Sequence, residues 1–351
     1  MSHPYRGLPE HQFWSRAVST VPPHELDPVV SSTLRIGAHD KIATIGSCFA
    51  QHVSQYLQRS GMHYFVAEEP EAPLDREAAR RLSYGVFSAR YGNVYTVRQA
   101  VQLFDRAYGA FDPEEPAWAR DDSFVDPFRP RIEPDGFSSL GSLHDDRLRH
   151  LEAVRRVFSE SQILVFTLGL TEGWTSVADG AVFPLAPGVA GGVFDRTRHR
   201  FLNFACDDVV DDLIAFAERF HRVNPTGQLV LTVSPVPLIA TYEPRHVLVS
   251  TVHSKSILRV AAGEVEQRFP FVHYFPSYEI ITGPGQADRY FDHDLRQVTE
   301  EGVAHVMRVF ARHYIDREEP VAPRSASAVA LEHRWVDEVV CDEVEIADAQ
   351  P

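Results

Sequence analysis

The chain has 351 residues, 44% of them hydrophobic, with a formal net charge of -15 and a pI near 5.5. That length and apolar content suffice for one large or two modest cores, and an acidic balance argues against nucleic acid or an anionic membrane as the main partner. No apolar run approaches a membrane span, and Met1-Ser2-His3-Pro4-Tyr5-Arg6 lacks the apolar core of a signal peptide. Cys48, Cys206 and Cys341 are odd in number and scattered, which fits a reducing cytoplasm. They have no zinc-finger spacing, the histidines show no metal-ligand spacing, and neither a metal nor a cofactor is expected.

Residues 1–40, rich in Pro and His, read as an arm packed on the domain surface. Lys41 to Gly46 is an apolar run, expected as the first strand, and Ser47 follows it directly. Phe49, Ala50, Val53, Tyr56 and Leu57 then recur at helical spacing until Gly61 supplies a stop. A strand–turn–helix of this kind sets Ser47 at the mouth of a helix, where backbone N–H groups point at whatever binds there. His63-Tyr64-Phe65-Val66 is expected as a second strand, followed by a short polar helix around 75–82. Helical spacing resumes at Val97, Val101 and Leu103-Phe104. Between 110 and 145, Pro113, Pro116, Pro127, Pro130 and Pro134 interleave with Trp118, Phe124, Phe128 and Phe137. Proline keeps such a stretch irregular while the aromatics call for burial, so a structured lid or insertion is expected.

A helix near 146–159 precedes Ile163-Leu164-Val165-Phe166-Thr167-Leu168, a buried-strand pattern that stops at Gly169. Residues 173–205 look like a Gly/Pro-rich excursion, and a helix over about 207–222 carries Val209, Leu213, Phe216 and Phe220 on one face. Leu229 to Val233 is the next strand, a long helix spans roughly 245–268, and Phe271 to Phe275 is the last strand. Val303, Val306, Met307 and Phe310 mark a final helix that Thr299 could cap. Short apolar strands alternating with amphipathic helices imply an α/β fold, a three-layer αβα sandwich with a mostly parallel, flavodoxin-like sheet. One domain over 41–318 is expected, with insertions near 110–145 and 173–205 and a peripheral acidic tail over 319–351.

In such sheets the ligand crevice lies outside the carboxyl ends of the strands. The residues expected there are Ser47, Gly169-Leu170-Thr171-Glu172, Ser234-Pro235-Val236-Pro237 and Ser277-Tyr278-Glu279, which suit polar chemistry. With these in place the chain resembles the GSCFA-domain family, named for the letters found at Gly46-Ser47-Cys48-Phe49-Ala50. Further family-like pieces are Phe13 to Val18, Gly92-Asn93-Val94-Tyr95-Thr96, Thr167 to Trp174, Ser234 to Leu238, Ser254 to Arg259 and Tyr274 to Glu279. That family is similar to the SGNH (GDSL-type) esterases and acyltransferases. The resemblance implies an acyl ester of a carbohydrate or small metabolite as substrate, with Ser47 as nucleophile.

By the same resemblance, the oxyanion hole would use the Ser47 N–H, Gly169 and an asparagine. Thr171 stands at the asparagine position, with Gly92 and Asn93 as alternative donors and Glu172 and Ser234 as further site candidates. The family's final Asp-x-x-His block corresponds to Asp294-Leu295-Arg296-Gln297. Gln297 occupies the histidine position, and an uncharged amide cannot take a proton from serine at neutral pH. The chain is therefore a base-replaced variant, a non-hydrolytic relative that binds ligand without turnover, or an enzyme using His293, His273 or Asp294 as its base. Phosphate or nucleotide binding in the crevice is a weaker reading, because no Gly-rich loop with a following lysine succeeds the first strand.

Plainer readings stand beside these. Ser47 could be a helix N-cap and Cys48 a packed small residue, although a helix N-terminus lowers a thiol pKa. Glu172 could be a solvated loop acid, and Asp294 could complement the dipole of the last helix. Lys255, within Ser254-Lys255-Ser256, reads as a surface or substrate-positioning charge, and His273 as a satisfied core or edge histidine.

Overall fold

In a computed structural model, the described residues are 3–316 together with Val339 and Ile346. The acidic tail expected over 319–351, and with it Cys341, falls outside them apart from those two positions. The strands are β1 (Ile42–Gly46), β2 (Trp118–Arg120), β3 (Ser123–Val125), β4 (Ile163–Leu168), β5 (Glu172–Ser176), β6 (Val182–Phe183), β7 (His199–Asn203), β8 (Gln228–Val233) and β9 (Val272–Tyr274). The helices are α1 (Trp14–Ala17), α2 (Phe49–Arg59), α3 (Arg76–Arg81), α4 (Val97–Ala107), α5 (Leu140–Glu160) and α6 (Cys206–Val223), then α7 (Val247–Arg268), α8 (Ser277–Thr282), α9 (Ala287–Tyr290) and α10 (Glu300–Tyr314). None is long and apolar enough to cross a membrane.

The central sheet has the order β1-β4-β8-β9, and every pairing in it is parallel. Both of its faces are covered, which is why its strands are apolar throughout. Ala43, Ile45, Leu164, Phe166, Leu229, Leu231 and Val233 point into a core shared with α4, α5, α6 and α7. Their neighbours Ile42, Ile163, Val165 and Val230 point the other way, into a core shared with α2, α8 and α10. The three-layer αβα reading of the sequence matches this arrangement, because the period-2 alternation of a strand supplies one residue in turn to each layer.

The stretch His63 to Val66 is not a strand. Only an isolated parallel bridge joins Tyr64 to Ile42, and the chain leaves again after the Phe65 N–H donates to the Ile42 carbonyl at 2.8 Å. Its position nevertheless completes the layout: beside β1 it gives the sequence order 2-1-3-4-5 across the sheet. The order reverses at β1, and in open α/β sheets such a switch point opens a crevice at the carboxyl ends of the two strands flanking it. Here those ends are Gly46, leading to Ser47, and Leu168, leading to Gly169.

Residues 173–205 also differ from expectation. They form a three-stranded antiparallel sheet in the order β6-β5-β7, built from short strands with most of the glycines and the prolines in the loops between them. The aromatic-rich insertion carries the β2-β3 hairpin, and Trp118 and Val125 bury with Ala181 and Phe183 of the small sheet. At the other end of the chain the N-terminal segment lies against α10. There the Ile36 N–H donates to the Tyr314 carbonyl at 2.7 Å, and the His305 ring pairs with the Leu26 carbonyl.

Candidate active site at the switch point

Three segments meet at the end of β1. Gly46 has φ +134, and a side chain there would fall 2.2 Å from the Thr167 carbonyl oxygen, so only glycine lets β1 and β4 close at this point. The Val94 N–H donates to the Gly46 carbonyl at 2.8 Å, which docks the 92–95 segment on the strand end. The Tyr95 carbonyl in turn accepts from the amides of Gly169 at 3.2 Å and Leu170 at 2.8 Å. A Cβ on Gly169 would stand 2.9 Å from both the Ser47 Cβ and the Tyr95 oxygen. Ser47, Gly92-Asn93 and Gly169, distant in sequence, are thus brought together.

Ser47 is 3% exposed, and its hydroxyl makes no hydrogen bond. It is not the N-cap of α2: Cys48 holds that position, and no side chain caps the helix. A buried hydroxyl left without a partner costs roughly 1–3 kcal/mol, and that cost is one usually met at sites where the group has another task. Cys48 is packed in the core beneath α2, as a small buried residue.

The expected donors are engaged within the chain. The Ser47 N–H donates to the Thr167 carbonyl at 3.1 Å, and the Gly169 N–H is the one held by Tyr95. Thr171 is fully buried, and its hydroxyl donates to Asn203 Oδ1 at 2.8 Å while its amide donates to the Ser254 hydroxyl at 3.0 Å. Asn93 is also buried and accepts from Gln51 Nε2 at 3.4 Å, across from the first turn of α2. Ser234 donates its amide to the Leu168 carbonyl at 2.9 Å and accepts from the Val236 amide at 3.3 Å.

Glu172 is not a solvated loop acid. It accepts from the Thr241 hydroxyl at 2.7 Å, and burial pushes its carboxyl above the ordinary glutamate range. Lys255 is not a surface charge either. It is 1% exposed on α7, and its ammonium donates to the Gly169 carbonyl at 2.7 Å. The helical spacing around Ser254 marked a helix correctly but could not say which face turns inward.

The segment expected to supply the acid–base partner is arranged differently. Asp294 accepts from the amides of Arg296 and Gln297, both at 2.9 Å, and so stabilises its own turn, not the dipole of α10. Asp294 and Gln297 are exposed, as is His293, which bonds to Asp292 at 2.9 Å; that carboxylate raises the His293 pKa. Arg296 Nε donates to the Pro237 carbonyl at 3.2 Å, which sets this turn against the loop after β8, at the same end of the sheet as Ser47. No hydrogen bond from His293, Asp294 or Gln297 reaches the Ser47 hydroxyl. His273 lies elsewhere: on β9 it is level with Thr44, three residues or about 10 Å short of Ser47 along the strand direction, and its ring bonds to Gln228 at the start of β8, away from the carboxyl ends. Among the described residues no group of three or more His, Cys, Asp or Glu is placed to hold a metal ion.

Behind the site lies a buried ionic network assembled from segments distant in sequence, with no local pattern to announce it. Arg90 bonds to Asp146 at 2.9 Å, and Arg129 bonds to Asp146 at 2.7 Å and to Asp126 at 3.1 Å. The Arg90 amide donates to Glu68 at 2.7 Å, and the same carboxylate oxygen pairs with His150 at 2.7 Å. The network fixes the chain two residues ahead of Gly92.

The profile of the GSCFA family matches residues 41–310, more than half of the chain. The chain belongs to the GSCFA family. The match begins one residue before β1 and ends within α10, so it takes in the whole central sheet and the Ser47 turn. No curated protein matches the chain. Among solved structures it is similar to a Clostridium thermocellum family 3 carbohydrate esterase, with 10% identity and a TM-score of 0.35 over 78% of this chain and 94% of that one. It is similar also to an acetyl esterase mutant solved with acetate ion, with 11% identity and a TM-score of 0.34 over 78% and 95% of the two chains. Likeness at that level says nothing about the chemistry of this GSCFA protein.

Proposed function

We propose that this GSCFA protein is a serine esterase or O-acyltransferase, with Ser47 as nucleophile and an acyl ester of a carbohydrate or small metabolite as substrate, acting in the cytoplasm. The observation that carries the reading is the Ser47 hydroxyl: buried, without a hydrogen bond, and at the carboxyl end of the strand where the sheet order reverses. Attack on an ester carbonyl forms the Ser47 Oγ–acyl bond as the alcohol leaves, and water or an acceptor hydroxyl then takes the acyl group. The oxyanion formed on the way needs donors, and losing one good donor costs about 10²–10³ in rate. By the family resemblance Gly92, Asn93, Gly169 and Thr171 are the candidates for that role, and the Gly169 amide and Thr171 hydroxyl would first have to leave the Tyr95 carbonyl and Asn203.

The test is intact-mass analysis after treatment with a serine-directed fluorophosphonate. A single adduct mapping to Ser47 and absent from Ser47→Ala is the expected result. No adduct in the unaltered chain and none in Gln297→His would retire the serine mechanism.

A second reading, a ligand-binding or catalytically impaired member, is favoured by one observation. Asp294 is committed to its own turn, and Gln297 offers no basic group. Gln297→His separates the two. A gain of a hundredfold or more on a panel of acyl esters marks a missing base, since a positioned base contributes about 10²–10⁴. High turnover by the unaltered chain rejects impairment. If His293 serves as the base, its raised pKa requires activity to climb above the usual histidine range as the ring loses its proton.

A further inference from the structure

Helix α7 buries a stripe that is apolar along much of its length, at Leu258, Ala262 and Val265, and polar toward its start, at Ser250, Ser254 and Lys255. The three polar residues are each 1% exposed. The Lys255 ammonium donates to the Gly169 carbonyl at 2.7 Å, and the Ser254 hydroxyl accepts from the Thr171 amide at 3.0 Å. Ser250 pairs with the Thr241 hydroxyl at 3.1 Å, which donates to Glu172 at 2.7 Å. The polar part of the stripe thus holds residues 169–172, the segment that leaves β4 beside Ser47.

The peptide group between Gly169 and Leu170 is held from both sides, its carbonyl by Lys255 and its N–H by the Tyr95 carbonyl at 2.8 Å. Gly169 is in turn the residue against which Ser47 packs, since a Cβ there would stand 2.9 Å from the Ser47 Cβ. One residue therefore lies between the buried ammonium and the candidate nucleophile. The plainer explanation is that Lys255 satisfies a strand-end carbonyl. A neutral donor meets such a need at the other end of the sheet, where the Asn224 amide donates to the Phe158 and Ser161 carbonyls at 3.2 and 2.6 Å. Burying an ammonium costs far more than burying an amide. What distinguishes it is a charge-assisted bond, shorter and roughly twice as strong as a neutral one. That added stiffness falls on the peptide that fixes Gly169 against Ser47, and stiffness matters most where a reacting atom has to be held in place.

We propose that Lys255 is a positioning residue for Ser47: its ammonium locks the Gly169–Leu170 peptide, and Gly169 then holds the serine side chain in the orientation from which its hydroxyl attacks. The part this plays in catalysis rests on the Ser47 reading above. Lys255 acts through Gly169, without a bond of its own to the serine hydroxyl.

The test labels the full chain with a fluorophosphonate over a range of concentrations, which separates the rate at saturation from the concentration that gives half of it. In Lys255→Met the saturating rate at Ser47 should fall by about tenfold or more while the half-saturating concentration stays within about twofold, because a misplaced nucleophile slows the chemistry and leaves the binding of the reagent alone. Lys255→Arg, which keeps a charged donor, should recover part of the loss. Asn224→Ala, which removes a neutral donor from the far end of the sheet, should lower stability in urea and leave the saturating rate unchanged. An unchanged saturating rate in Lys255→Met, or a fall that Asn224→Ala matches at equal loss of stability, overturns the proposal and leaves the serine. Amide hydrogen exchange at Gly169 and Leu170 provides a readout that needs no labelling, and it should quicken in Lys255→Met under conditions where urea denaturation shows the variant folded. Unchanged exchange there overturns the clamp itself. Quickened exchange with no labelling of the unaltered chain leaves the clamp but takes away both the serine reading and the part of Lys255 in it.

Discussion

At the residue scale the site depends on close approach more than on any single bond. Gly169 has no room for a methyl group: a Cβ would press on the Ser47 Cβ and on the Tyr95 carbonyl, both at 2.9 Å. Neither can yield easily, since Ser47 ends a buried strand turn and the Tyr95 oxygen holds two amides. Gly169→Ala is therefore expected to destabilise the fold by about 1–3 kcal/mol and to slow Ser47 labelling beyond what the stability loss explains. Urea denaturation and labelling rates measured together check this; an unchanged labelling rate would show that Ser47 tolerates displacement. Lys255 acts on the same glycine from the other side through the Gly169 carbonyl.

At the scale of elements, the start of α4 positions the site. Thr96 and Gln99 form a capping box in which Thr96 Oγ1 accepts from the Gln99 amide and Gln99 Oε1 accepts from the amides of Thr96 at 2.8 Å and Tyr95 at 3.1 Å. The cap thus orients Tyr95, whose carbonyl secures the β4 end, and a helix terminus is coupled to the geometry around Ser47. Gln99→Ala should cost about 1 kcal/mol in denaturation and lower the rate of serine labelling. By contrast Thr299→Ala, which removes the N-cap side chain of α10, should cost a similar amount and leave labelling alone. Equal effects of the two on labelling would contradict the coupling.

At the scale of the whole molecule, the buried ions behind the 88–96 segment set the response to acid. Burial alone would raise the Glu68 carboxyl, but the His150 ring, the Arg129 guanidinium and the Arg90 amide outweigh it and hold the pKa at about 2. Asp126 is likewise depressed, burial being overcome by Arg129, Arg147 and Arg106. A carboxyl whose folded pKa lies below its unfolded one contributes stability that is complete above the unfolded value and is lost as pH falls toward the folded one. For Glu68 that window runs from 4.5 down to about 2. Denaturation midpoints should fall through that range, with a shallower fall in Glu68→Gln. A flat profile between pH 5 and 3 would rule out the network as an acid-sensitive element.

The layers, and the junction on which the site is built, can be read from the order of residues alone. Runs such as Ile163 to Leu168 and Leu229 to Val233 are apolar without interruption because both sheet faces are covered, and the spacing of α2, α6 and α10 reports which side of each helix is buried. Gly46-Ser47 was legible because a strand must end before a helix can begin. The small sheet over 172–203 was not, because its short strands, separated by glycine and proline, carry too little periodicity to register. Other features depended on which segments meet: the docking of Val94 and Tyr95 on the strand ends, the inward turn of Lys255 and the ionic network around Arg90. Long-range contacts of this kind leave no local pattern, since each partner is an ordinary residue until the other is beside it. The same holds for the surroundings of Ser47. The sequence placed a glutamine where the family resemblance implied a histidine, and tertiary structure alone decided that the Asp294 carboxylate closes its own turn and that the serine hydroxyl stands without a bonded partner.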